Sequence, residues 1–264
     1  MDDRRRAAWD ALGLGPAWAA REAAPIPPRT IAVAGRLDAD TPGTPEAIAT
    51  PDATPNPDAA HATLRLEAIA REVATCPKCR LCESRNRAVF GAGPPGAAWM
   101  FVGEAPGAEE DASGEPFVGA SGRLLDAMLT AVGLSREHVY IANVVKCRPP
   151  DNRNPKPDEV ASCAPYLHAQ IELVRPALLV LLGRFAAQTV LRTNAAVGAL
   201  RGRTHHVEVD GRRLPAVVTF HPAYLLRTPV DKAKAWRDLC AARAELARTA
   251  LAVSAGGSPA QPNG

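Results

Sequence analysis

Four cysteines in two separated places, Cys76 and Cys79 in CPKC and Cys147 and Cys163 in KCRPPDNRNPKPDEVASC, are what a chain needs to close a four-thiolate metal centre. Two spacer residues let both sulfurs of a CxxC pair turn onto one ion or cluster, while a distant second pair closes a long loop. The pattern points to a metal without choosing one. Cys82 overlaps the first motif as CPKCRLC and could act as a spare or swapped ligand, whereas Cys240 lies in a helical run and reads as a small core residue. A second set of chemically able residues follows short apolar runs: Gly103-Glu104-Ala105-Pro106-Gly107 after the first, Asn143 after the second, and His221-Pro222 after the last.

The elements that must position these groups are legible as alternating periods. Apolar runs at 99–102, 139–142, 178–182 and 216–220 read as buried strands, and helical periods cover 122–132, 158–174, 184–191 and about 231–251. Strands alternating with helices make an α/β chain with a mostly parallel sheet covered on both faces. The Asp210-Gly211 pair between extended residues predicts a small hairpin over 207–212, before the last strand. Ligands of such sheets bind beyond the carboxyl ends of the strands, so three polar strand endings at one edge predict a site there. The third run ends in Gly183-Arg184, which reads as room for a helix to start.

Composition divides the chain of 264 residues. Residues 1–60 hold nine of the 25 prolines and six basic against nine acidic residues, while 61–264 carry 25 basic against 19 acidic. The first part reads as a Pro/Ala-rich extension, with short helices over 4–22 and a disordered linker over 25–58. Residues 61–252 form the folded domain, and 253–264 a loose tail. The basic surplus of the domain suits a polyanionic partner, although a surplus of this size is common on ordinary enzymes. No apolar stretch follows Arg4-Arg5-Arg6 and no run reaches membrane-spanning length, so no membrane role and a cytoplasmic location are expected. Cysteines in that compartment serve metals more often than disulfides.

Asn, His and an aromatic at one edge suggest base recognition. An asparagine amide pairs an acceptor with donors, the complement of the N3–H and O4 edge of uracil and a mismatch for cytosine. A histidine opposite it can donate to a developing oxyanion, and Phe117 offers a flat stacking face. Neither Ser121 nor any cysteine stands in a context that sets it against His221 as a nucleophile.

The segments GEAPGAEED, PFVGASGRLLD, NVVKCRPPDNRNP and TFHPAYLLR, in this order and with this cysteine spacing, resemble the family 4 uracil-DNA glycosylases over about residues 65–245. The resemblance implies a three-layer α/β/α sandwich around a four-stranded sheet, a [4Fe-4S] cluster on Cys76, Cys79, Cys147 and Cys163, and base-excision repair acting on uracil-containing DNA. It further implies that Gly103, Glu104 and Ala105 line the pocket, that Phe117 stacks on the flipped uracil, that Asn143 reads its edge and that His221 stabilises charge on uracil O2. The best-known uracil glycosylase family has an Asp where this chain has Ala105, so the water must be handled otherwise. Glu104 could place it, and Glu110 could wall the pocket against a thymine methyl.

Lys146, Arg148, Arg153, Lys156, Arg201, Arg203 and Arg227 are candidate phosphate contacts, and Leu225 and Leu226 the wedge that fills the vacated stack. A monomer is expected. Two other readings share some of these features. A glycosylase trapped covalently through a histidine in an inserted basic loop is disfavoured, because Lys146-Cys147-Arg148-Pro149-Pro150-Asp151 lacks that insert. A non-catalytic zinc-binding DNA or polymerase-associated module would keep the cysteines without needing Asn143, Phe117 and His221 together.

Overall fold

Strands buried at every position need cover on both faces, and the runs WMFVG, VYIAN and LLVLL are buried throughout. The computed structural model describes residues 57–255 and supplies that cover. Helix α1 (Pro57–Ala74) leads into the CPKC segment; β1 (Trp99–Gly103) is followed by α2 (Ala108–Ser113) and α3 (Ala120–Ala131). Then come β2 (Val139–Asn143), α4 (Pro157–Val174), β3 (Leu178–Leu182), α5 (Gly183–Leu191) and α6 (Val197–Leu200). The hairpin of β4 (Thr204–Val209) and β5 (Arg212–Thr219), then α7 (Pro222–Arg227) and α8 (Lys232–Ala255), complete the order.

The sheet runs β2-β1-β3-β5-β4. Strands β1, β2, β3 and β5 are parallel, and β4 pairs antiparallel on the outer edge of β5. The sheet therefore has five strands where four were expected. The hairpin foreseen at Asp210-Gly211 is longer than 207–212, and its first arm joins the main sheet. Both turn residues have positive φ, 48° and 67°, the geometry that matches the twist of paired strands. β4 is nowhere fully buried, so it offers no continuous apolar run to read.

Successive strand residues face opposite sides and join two cores. Met100, Val102, Leu179, Leu181, Ala216 and Val218 pack with Leu66, Val73, Tyr166, Leu167 and Ala186. Phe101, Leu178, Val180, Leu182 and Val217 pack with Leu124, Leu125 and Met128 of α3 and with Ala235 and Leu239 of α8. The result is three layers, with α1, α4 and α5 on one face and α3, α7 and α8 on the other. Each fully buried leucine or isoleucine here contributes about 1.5–3 kcal/mol of transfer free energy.

The chain leaves β1 toward the α3 face and β3 toward the α5 face. Adjacent parallel strands whose connections diverge open a crevice at their carboxyl ends. Among the described residues no helix is long and apolar enough to cross a membrane. The helices expected over 4–22, nearly all of the linker over 25–58 and most of the tail lie outside the described residues; the last two linker positions open α1.

Candidate active site and metal centre

Gly103, the last residue of β1, lies in register with Asn143, the last residue of β2. A Cβ on Gly103 would stand 2.3 Å from Asn143 Oδ1 and 2.6 Å from Phe117 Cζ, so the absence of a side chain is what lets amide and ring close over this point. Phe117 is buried and its ring centroid lies 5.5 Å from that of His221. His221 follows β5 and caps α7, and the loop after β3 makes room for it: a Cβ on Gly183 would reach His221 Cβ at 2.9 Å. Gly183 also has φ +86°, a backbone that side chains rarely adopt. The third strand ending, read only as a helix start, is thus part of the site wall. Its signal was a glycine beyond an apolar strand, which helix-start chemistry explains equally well.

Two buried polar atoms in this crevice have no hydrogen-bond partner among the described residues, Asn143 Oδ1 and His221 Nε2. Buried polar groups are ordinarily satisfied, and atoms left open beside a crevice await a ligand. The histidine tautomer follows from its surroundings. Nδ1 accepts a hydrogen bond from the Ala223 amide at 3.1 Å, which leaves the proton of a neutral ring on Nε2. Burial, helped by the Arg227 charge and opposed by Glu110, pushes its pKa down to about 4. The ring is neutral at physiological pH and presents one donor. Glu104 is half-buried next to Gly103, and burial raises its pKa to about 7 against the opposing charge of Arg184. Ala105 packs against the core on the α4 side.

Glu110, expected as a pocket wall, is instead buried with both oxygens on backbone amides. Oε2 accepts from Gly107 at 3.0 Å, and Oε1 from Val118 at 2.9 Å and Gly119 at 3.0 Å. It braces the loop that carries Phe117. Leu225, expected in the wedge, is fully buried among α3 and α8 residues, because α7 turns it inward; Leu226 beside it is 43% exposed.

The basic candidates divide. Lys146 is buried, and Nζ donates to Asn143 O at 2.7 Å and to Gln170 Oε1 at 2.5 Å, so it holds the β2 end from within instead of facing a phosphate. Arg153 is paired bidentately with Glu159, and Arg201 donates from Nε to Asp238 Oδ2 at 2.7 Å. Arg148 donates to Asn152 Oδ1. Lys156, Arg203 and Arg227 are exposed.

The four cysteines of the two motifs line one cavity, with Arg85, Lys146 and Tyr166, between α1, the β2 end and α4. Cys82 and Cys240 are not among its lining residues. Donors point at three of the sulfurs: Arg85 Nη1 at Cys147 Sγ, 3.0 Å, the Lys146 amide at Cys163 Sγ, 3.3 Å, and the Tyr166 hydroxyl at Cys76 Sγ, 3.3 Å. Burial pushes the Cys163 thiol up to about 11, a cost that a bound cation removes. Among the described residues no group of three or more His, Cys, Asp or Glu is drawn together as a site for a single metal ion. Arg85 was missed because nothing near it in sequence marks a partner 62 positions away.

Residues 90–240 match the profile of the Uracil DNA glycosylase superfamily. The chain is 46% identical over 168 residues to a type-4 uracil-DNA glycosylase of Archaeoglobus fulgidus, covering 62% of this chain and 84% of that one. It is 43% identical over 169 residues to the type-4 uracil-DNA glycosylases of Sulfurisphaera tokodaii and Saccharolobus solfataricus, covering 62% of this chain and 77% and 78% of theirs.

Proposed function

The chain belongs to the type-4 uracil-DNA glycosylases of the uracil DNA glycosylase superfamily, and from that premise we infer how its own crevice removes uracil from DNA. The observation that carries the reading is the pair of open polar atoms, an amide oxygen at Asn143 and a ring N–H at His221, set around the Phe117 ring. Uracil flipped from the helix stacks on Phe117, and its N3–H donates to Asn143 Oδ1 while O4 accepts from the amide nitrogen. Cytosine, unprotonated at N3 and carrying an amino group at C4, meets like against like.

The C1′–N1 bond then breaks with its electron pair going to uracil, whose O2 gains charge facing the Nε2–H of His221. A neutral imidazole is the suitable donor, because its hydrogen bond strengthens as the charge forms without a proton being transferred. Water adds to the cationic sugar at C1′. With alanine at 105, the neighbouring carboxylate of Glu104 serves this step, its raised pKa suiting it to orient that water and take its proton. Single-turnover excision is accordingly expected to rise about tenfold per pH unit below pH 7 and to level off above it, as Glu104 ionises. Glu104→Gln should abolish that limb, and a flat wild-type profile would remove Glu104 from the mechanism.

The thiol cavity suits a [4Fe-4S] cluster: four sulfurs share it, and donors aim at three of them, the hydrogen bonds that cluster thiolates accept. Held by Cys76, Cys79, Cys147 and Cys163, the cluster would act as a structural tie between α1, the β2 end and α4. Iron and acid-labile sulfide in anaerobically purified protein are expected at about four each per chain; stoichiometric zinc instead would refute the assignment. DNA is gripped through Lys156, Arg203 and Arg227, and Leu226 alone serves as the wedge.

The test of the whole reading is excision from an oligonucleotide with one uracil, run with Asn143→Asp beside the wild type. The variant should excise uracil at least about tenfold more slowly and begin to accept cytosine, since a carboxylate keeps the acceptor but loses the donors. Unchanged uracil excision would reduce Asn143 to a strand-end cap.

A further inference from the structure

We propose that Arg136 is the positioning residue of the stacking platform, acting through Phe117; this rests on the pocket being the uracil site. Phe117 has φ +56°, a left-handed backbone that is strained for a bulky residue and persists only where surroundings impose it. Two neighbours impose it. Gly122, in the first turn of α3, lies so close that an added Cβ would stand 1.7 Å from Phe117 O. From the other side Arg136, in the short turn before β2, donates from Nη1 to Pro116 O at 2.9 Å and from Nη2 to Phe117 O. Its Nε donates to Asp126 Oδ1 of α3 at 2.6 Å, which fixes the plane of the guanidinium.

One planar group thus holds two successive carbonyls and a carboxylate at once. Lysine, a point charge without a fork, can satisfy only part of that set. Glu110 holds the following amides of the same loop, at Val118 and Gly119, so the carbonyls before Phe117's exit and the amides after it are both tied. The ring is thereby set close to both Gly103 and His221, where small rotations would change the slot left for a base. The Arg136 side chain is 35% exposed, and among the described residues its hydrogen bonds go to the loop carbonyls and Asp126, so its effect on a base passes through Phe117.

The test is a cycle of four proteins, wild type, Arg136→Ala, Phe117→Ala and the double variant, measured by single-turnover excision and by thermal unfolding. Arg136→Ala is expected to lower excision by about 10- to 50-fold, the loss typical of a displaced positioning contact, with Arg136→Lys recovering part of it. In the Phe117→Ala background the same substitution should change excision less than about twofold, because the platform it positions is gone. Multiplicative losses would overturn the proposal and make Arg136 a general support of the fold, as would full activity in Arg136→Ala. If Arg136→Ala does not fold, Arg136→Lys against Phe117→Ala gives the same cycle with the same two outcomes. A wild type that excises no uracil would overturn the pocket reading itself, which the cycle in an active enzyme leaves intact.

Discussion

Replacing His221 by alanine is expected to lower single-turnover uracil excision by about 10²- to 10³-fold, equivalent to about 2.7–4 kcal/mol of transition-state stabilisation. Affinity for uracil-DNA should remain nearly unchanged, because the ring N–H matters most when O2 carries charge. The prediction follows from a buried Nε2 with no partner and a tautomer fixed by the Ala223 amide. His221→Gln, whose amide can also donate, should recover part of the loss. Since burial holds the ring neutral down to about pH 4, the histidine should impose no decline in rate between pH 8 and pH 5; a limb there must come from Glu104. Equal losses in binding and in rate for His221→Ala would mean uniform recognition of uracil instead of charge stabilisation.

Gly103→Ala should be nearly as damaging, although alanine adds only a methyl group to the end of a strand. That methyl would sit 2.3 Å from Asn143 Oδ1 and 2.6 Å from Phe117 Cζ, and neither contact is physically tenable. Both recognition groups must move together, and a displacement near 1 Å in such a site costs about 10²-fold in rate. The fold should survive with a loss of about 1–3 kcal/mol, the usual range for an overpacked position. The comparison is kcat/KM against the urea midpoint: activity within threefold of wild type would show that the crevice tolerates a side chain and that Asn143 and Phe117 do not close over Gly103.

What the sequence made legible follows from which interactions are local. Strands β1, β2, β3 and β5 announced themselves because parallel strands covered on both faces are apolar at successive positions, while β4, only half-covered, carries the polar alternation THHVEV. The Asp210-Gly211 turn was visible, but not that its first arm would reach the main sheet. Lys146 reads as a phosphate contact because it stands in a basic loop; its real acceptors, Asn143 O and Gln170 Oε1, include one 24 positions distant. Leu225 and Leu226 are alike as letters and differ only in which side of a six-residue helix each occupies. Asn143 and His221 were found through the chemistry of strand endings, whereas Gly183 and Arg136 serve the site by geometry that leaves no local trace.

The cavity lined by Cys76, Cys79, Cys147 and Cys163 also sets a timetable for biosynthesis. Cys79 and Cys163 are 84 positions apart, so at about 5–20 residues per second a ribosome needs roughly 4–17 s between them. For that interval the CPKC thiols are on a nascent chain in which the set of four cysteines is incomplete, Cys147 following Cys79 by 68 positions and Cys163 coming last. Arg85, which donates to Cys147 Sγ, emerges early within the same gap and Tyr166, which donates to Cys76 Sγ, just after it, and α1 cannot dock until α4 has been made. If these four thiols hold the proposed cluster, its completion would be among the last events in maturation, and a premature Cys76–Cys79 disulfide on the nascent chain would forestall it more readily than oxidation after assembly.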